Sequence, residues 1–311
     1  MRGFLKSQRG SVVVLVAAGM VMLMGCAALV TDIGMMTIEK SRLQNAVDAA
    51  ALAGAQELPD STLNADSTAR DYVNVKNVYG GEVESINFDE EDKKITVVAN
   101  NEVNYIFARV LGMEKGDIQV KAAAQVVPAK VINSGLRPFG VDEDVELVVG
   151  EDTVLKFGAQ DSQQGNRGAL DFKEKHEELQ DEYGIPNNII SSGANFYYHM
   201  IEHGSYVPYE VGEQVLSEPG NMGNKTKENI EKIEGAISII PIIRYVSGEP
   251  NGSSVVEIVR FAAFYINKVE EIGQGNNGHI EITGRFMHYV TPGIGDENII
   301  DTGVYTVKLV E

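Results

Sequence analysis

The chain has 311 residues, 43% of them hydrophobic, which suits one or two folded units with packed cores and argues against wholesale disorder. Its formal net charge is -19, and three of its 26 bases, Arg2, Lys6 and Arg9, precede all 45 acids. So acidic a body repels nucleic-acid phosphates, and no nucleic-acid partner is expected. Its one cysteine, Cys26, excludes an intramolecular disulfide and a cysteine-based zinc site.

From Gly10 to Thr31 there is no charged residue, and the central text is SVVVLVAAGMVMLMGCAALV. As a helix rising ~1.5 Å per residue, that run crosses ~30 Å of hydrocarbon. The three bases precede it, and Asp32 and Glu39 follow it. The positive-inside rule then puts the N-terminus in the cytoplasm and the bulk outside. A cleaved signal peptide is one alternative, and a lipoprotein signal read at Leu23-Met24-Gly25-Cys26 is another. A retained anchor is favoured because the helical period does not stop. Ile33, Met35, Met36 and Ile38, then Leu43, Val47, Ala50 and Leu52, fall on one broad stripe, and no proline intervenes before Pro59. One helix from about residue 10 to about residue 57 is expected, with its membrane-spanning part at about 10–31.

Beyond the span the helix turns to small residues. Ala46, Ala50 and Gly54 are spaced by four, a ridge that lets a helix or a sheet approach closely. Alanine's helix propensity accounts for part of this pattern, but not for Asp48 in its middle. The string of basic residues, Gly10, the apolar run, Asp32 and then LQNAVDAAALAGA (Leu43 to Ala55) resembles the N-terminal domain of Tad (tight adherence) TadG-like pilus-assembly proteins. Leu43, Gln44, Asp48, Ala49, Ala50, Ala51, Leu52 and Ala55 match the family's segment. The resemblance covers roughly the first 55 residues. It implies a non-enzymatic, single-pass membrane protein of a Flp/Tad-type pilus or of its assembly and secretion machinery, in a minor pilin-like role. It further implies that the bilayer and other Tad/Flp proteins are its partners, the latter reached through the Ala-rich helix. Two departures narrow this. The fifth residue after Gly10 is Leu15, where a type IV prepilin carries Glu, and no D-x-S-x-S metal motif of a von Willebrand-type domain occurs.

Residues 58–130 read as a small α/β unit. Ser61 or Asn64 caps a helix whose Ala65, Ala69, Tyr72 and Val73 share a face, and Gly80-Gly81 ends it. Ile86 and Phe88 mark a strand, the turn DEEDKK follows, and Ile95, Val97 and Ala99 alternate as a second strand. Val103, Ile106, Phe107, Val110 and Leu111 have the spacing of an amphipathic helix stopped by Gly112, and Ile118, Val120, Ala122, Ala124 and Val126 alternate again. A long helix leading into such a unit is similar to the pilin plan. Pro128 to Pro138 reads as a linker or a strand crossing between domains.

Residues 139–311 read as a β-rich extracytoplasmic domain, an antiparallel sheet or sandwich with inserted loops and one or two helices. Val145, Leu147 and Val149 alternate, as do Val304, Thr306, Lys308 and Val310. The runs AISIIPIIRYV and VVEIVRFAAFYI read as buried central strands, with Pro241 at a bulge or an edge and Gly284 at a kink. Gly165, Asn166, Gly168 and Glu218-Pro219-Gly220-Asn221 read as turn formers. The expected fold class is therefore α+β throughout.

Chemistry is sparse. His199, Glu202 and His203 form H-x-x-E-H, which sets two imidazoles on one helix face with Glu202 as a base, the pattern of a zinc hydrolase. A three-letter match with Gly204 directly behind it is weak, and a half-buried aromatic helix explains FYYHMIEH as well. The acidic cluster Asp142, Glu143, Asp144 and Glu146 lacks a calcium-loop pattern and reads as a solvated edge. There is no nucleophile elbow, P-loop or dinucleotide fingerprint. No catalysis and no cofactor are expected. The competing readings are a surface-anchored adhesin or lipoprotein that binds a host or cell-wall ligand, and a tethered metallohydrolase.

Overall fold

The computed structural model describes residues 9–74, 81–89, 91–157, 169–191, 194–218, 224–248, 254–272 and 279–310. The expected turn residues Gly165, Asn166, Gly168, Pro219, Gly220 and Asn221 lie outside these, as do Arg2, Lys6 and Gly80. Among the described residues the fold is mixed α+β, a long apolar helix followed by a β-rich region, with seven α-helices and fourteen strands. The chain divides into two compact units, residues 1–125 with 309–311, and residues 126–308.

In the first unit the long helix α1 (Arg9–Ala55) is followed by α2 (Thr62–Asn74), β1 (Glu82–Phe88), β2 (Lys94–Asn104), a 3-10 turn (Ala108–Leu111) and the first part of β3 (Lys115–Ile132). The Ser61 hydroxyl accepts the Asn64 N–H and caps α2, whose Ala65, Ala69 and Val73 are buried. β1, β2 and β3 form an antiparallel meander. At its first corner Asp89 accepts the N–H groups of Lys93 and Lys94, and Asp92 takes a positive φ of 55°. Opposed pairs on one face are Ile95 with Ala124, Val97 with Ala122 and Ala99 with Val120. All six are buried, and each pair joins an aliphatic side chain to an alanine. α1 packs against α2 and β2.

The amphipathic helix expected over Val103–Leu111 does not form. β2 runs through Val103 to Asn104, and only the single 3-10 turn follows, ended by Gly112 in the left-handed region. Val103 is buried as a strand residue, but Ile106, Phe107 and Val110 are exposed. Their spacing fits a helix face that has no core to meet. The segment from Pro128 belongs to a strand as far as Ile132, because β3 continues past it.

The second unit contains the end of β3, which pairs with β7 (Tyr209–Glu210) and β13 (Gly293–Gly295). It continues with β4 (Val141–Asp142), β5 (Asp152–Phe157), β6 (Ala169–Asp171), α3 (Lys173–Glu178), α4 (Gln180–Tyr183), α5 (Asn187–Ile190) and α6 (Ala194–His203). Then come β8 (Gln214–Glu218), α7 (Asn224–Glu231), β9 (Ile237–Gly248), β10 (Ser254–Ile272), β11 (His279–Met287), β12 (Tyr289–Val290) and β14 (Val304–Val310). The main sheet runs β4-β9-β10-β11-β5, with β8 and β6 continuing beside β10. Along β10, Ile258, Phe261 and Ala263 enter one core cluster while Ala262, Phe264 and Ile266 enter another. Burial on both faces is why β9 and β10 read as unbroken apolar runs. Pro241 pairs with Phe261 beside a register shift, and at Gly284 a Cβ would fall 2.1 Å from the Tyr265 carbonyl oxygen. Only glycine permits that approach. The alternation Val145-Leu147-Val149 forms no strand beyond an isolated bridge from Val149 to Phe286; Val145 and Leu147 pack from an irregular segment onto the second cluster.

Candidate functional site

The feature that sets this chain apart is α1, which changes character along its length. From Val12 to Thr31 every side chain is exposed except half-buried Ala28. The exposed set includes Val14, Leu15, Val21, Met22, Leu23 and Val30. A helix apolar on every side has no stable place in water and matches hydrocarbon instead. The Thr31 hydroxyl donates to the Ala27 carbonyl at 2.9 Å, so this polar group too is satisfied within the helix. Gly10 lies in the helix one residue after its start at Arg9.

At Asp32 the pattern breaks. Asp32 is 3% exposed, and its carboxylate accepts the backbone N–H groups of Ile106 at 2.8 Å, Phe107 at 3.1 Å and Ala108 at 2.7 Å. These are the donors that the start of the 3-10 turn leaves without partners of its own. The helix thus caps a turn far away in sequence. Desolvation by burial pushes the carboxyl pKa up, but the three main-chain donors outweigh it and hold the group below the ordinary carboxylate value.

Further along, the segment LQNAVDAAALAGA forms the packing face. Leu43, Val47, Ala50, Ala51 and Ala55 are buried, and Leu52 is half-buried. At Gly54 a Cβ would lie 2.7 Å from Ile95 Cδ1 and 3.0 Å from the Ala65 carbonyl oxygen, so α2 and β2 approach closer than alanine allows. Gln44 Nε2 donates to Asp48 Oδ1 at 2.7 Å and to the Lys121 carbonyl at 3.1 Å. This accounts for Asp48 amid alanines, since it orients the glutamine that ties α1 to β3. Of the two partners expected for the small-residue face, the chain itself supplies one, in α2 and the sheet.

His199, Glu202 and His203 lie on α6. The two imidazole rings are 4.3 Å apart, His199 Nε2 is 2.8 Å from the Tyr206 hydroxyl, and Glu202 pairs with Lys232 at 3.2 Å. Among the described residues no group of three or more His, Cys, Asp or Glu side chains is placed to hold a metal ion. His176, which the sequence did not single out, is fully buried. Its Nδ1 is 2.7 Å from the Phe172 carbonyl, and its Nε2 accepts the Tyr206 N–H at 3.1 Å. Both ring nitrogens are satisfied in the neutral form, and burial lowers its pKa. It is a core residue.

Fold and site together define an α+β protein whose first helix is long and apolar enough to cross a membrane and then becomes the spine of a folded unit. Residues 10–57 match the family model Tad, described as "Putative Flp pilus-assembly TadE/G-like". The match ends with the spine helix and its following turn. No curated protein and no solved structure matches the chain. The apolar helix and the family match support a membrane location and a role related to pilus assembly.

Proposed function

We propose that this is a non-enzymatic, single-pass membrane protein that acts structurally in a Flp/Tad-type pilus or its assembly and secretion machinery. Its N-terminus is cytoplasmic and both folded units are extracytoplasmic. The observation that carries this reading is α1, one uninterrupted helix that is exposed all round before Asp32 and buried along one face after it. An apolar rod locked into a folded unit makes the anchor and the head mechanically continuous. The three leading bases support the orientation. The helix surface not covered by α2 and the sheet remains for other Tad or Flp proteins. In this reading the 126–308 unit meets its partner outside the cell membrane.

Deleting residues 10–31 is expected to move the whole protein from the membrane fraction to the soluble fraction while the ectodomain stays folded by circular dichroism. Retention of the deletion in membranes after an alkaline carbonate wash, which strips interfacial attachment, would overturn the anchor. Labelling of whole cells with an impermeant thiol reagent at an introduced Ile294→Cys tests the orientation, because that exposed side chain must react from outside. The pilus role is overturned if the neighbouring genes encode no secretion ATPase, prepilin or membrane platform protein.

A further inference from the structure

The loop joining β2 to β3 has a composition that nothing in its own unit uses. Ile106, Phe107, Val110 and Met113 are all large, apolar and exposed, Val110 at 88%. Yet the loop is well built. The Tyr105 N–H donates to the Glu114 carbonyl across its base, Val110 N–H to Phe107, and Met113 N–H to Ala108. It is fastened to α1 by the three donors to Asp32, the first charged residue after the apolar run. The base of the hairpin also meets α1, since a Cβ at Gly116 would lie 3.1 Å from Met36 Cε.

We propose that residues 105–114 form an interfacial foot, in which Ile106, Phe107, Val110 and Met113 insert between headgroups and acyl chains of the bilayer that α1 crosses. This rests on the membrane-spanning reading of α1. The depth follows from the chain. If Arg9 marks one headgroup level, ~20 residues at ~1.5 Å each bring the helix to the opposite boundary just before Asp32. The loop tied to Asp32 therefore stands at that boundary. Lipid is the occupant because the apolar surface of the loop continues that of the helix, where Val30, Ile33 and Met35 are also exposed. Exposed Arg109, between Phe107 and Val110, suits the headgroup phosphates. The carboxylate of Asp32 can approach hydrocarbon only because main-chain donors satisfy it. The foot adds a second attachment point that fixes the tilt of the folded unit on the membrane, which one helix alone cannot do.

The test uses full-length protein carrying Cys26→Ala in phosphatidylcholine vesicles. An environment-sensitive fluorophore is placed in turn at Val110→Cys, at Met20→Cys within the span, and at Leu63→Cys, an exposed site at the start of α2. Quenching by a spin-labelled lipid and by aqueous iodide is compared. The foot predicts lipid quenching at position 110 severalfold above that at 63 and approaching that at 20. Lipid quenching at 20 with iodide quenching at 110 overturns the foot and leaves the span intact. Quenching by neither agent at 110 means that protein, a second copy included, covers the loop, and also overturns it. Absence of lipid quenching at 20 overturns the span itself and the foot with it.

Discussion

The two halves of α1 use much the same alphabet and have opposite fates. From Val12 to Thr31 the helix is apolar on every side, and all residues but Ala28 are exposed. After it they alternate by face, with Leu43, Val47 and Ala50 buried while Glu39 and Arg42 pair across the solvent side at 2.8 Å. That ion pair is exposed and adds little. The contrast teaches that hydrophobicity alone does not say what a helix meets. The outer half carries the marks of a protein partner: small residues where backbones approach, and Gln44 reaching the Lys121 carbonyl. The inner half has small residues too, but nothing lies within 4 Å of a Cβ at Gly19 or Gly25.

Mirror substitutions break the comparison most sharply. Leu43 is 1% exposed, and Leu43→Ala is expected to destabilise the first unit by about 2–5 kcal/mol, as truncation in a core does. Leu23→Ala, on the exposed half, is expected to leave that unit's stability within about 0.5 kcal/mol. Denaturation of detergent-solubilised protein, followed by hydrogen exchange in β2, measures both. Equal losses would mean that the inner half also packs on protein.

The glycines make the same contrast at smaller amplitude. Gly54→Val puts methyl groups against Ile95 and the Ala65 carbonyl and is expected to cost about 1–3 kcal/mol, outweighing the better helix propensity of valine. Around Gly25 nothing lies within 4 Å of a Cβ, so Gly25→Ala is expected to be neutral or slightly stabilising. The same exchange experiment reads both. Indifference at Gly54 would show that α2 and β2 do not approach α1 as closely as the structure has them.

These features differ in how legible they were in the sequence. The apolar run before Asp32 was legible from its length without a charge, and the buried stripe and the strands of the meander follow from periodicity, which reports directly which faces meet a core. The two runs of β9 and β10 were legible because a strand covered on both sides has no polar face to hide. Val103 to Leu111 misled for the same reason, since its apolar spacing fits a helix whose face would be buried, yet Ile106, Phe107 and Val110 stay exposed. Val145 to Val149 misled because a short alternation also fits an irregular segment that tucks Val145 and Leu147 inward and leaves Val149 exposed. Asp32 was legible as a residue but its partner was not. The contact spans 74 residues, and its donors are main-chain N–H groups that have no side-chain signature.

Asp32 also yields the most local prediction, and it sharpens the boundary between the two halves. Oδ1 serves Ile106 and Oδ2 serves Ala108, so both oxygens are in use. Asp32→Asn swaps one acceptor for an NH2 group that meets an N–H head-on. Faster hydrogen exchange at residues 106–108 is expected, with β2 and β3 protected as before. Acid should do the same to the native chain. The folded carboxyl is held below its ordinary value of 3.8, so the stabilisation it gives is complete above that value and is lost as the pH falls through the lower folded pKa. Loop protection should therefore hold from neutral pH down to about 4 and fail beneath it, while Asp32→Asn shows no such step. A step at the same pH in the variant would assign the titration to another carboxylate and leave Asp32 with no part in holding the turn.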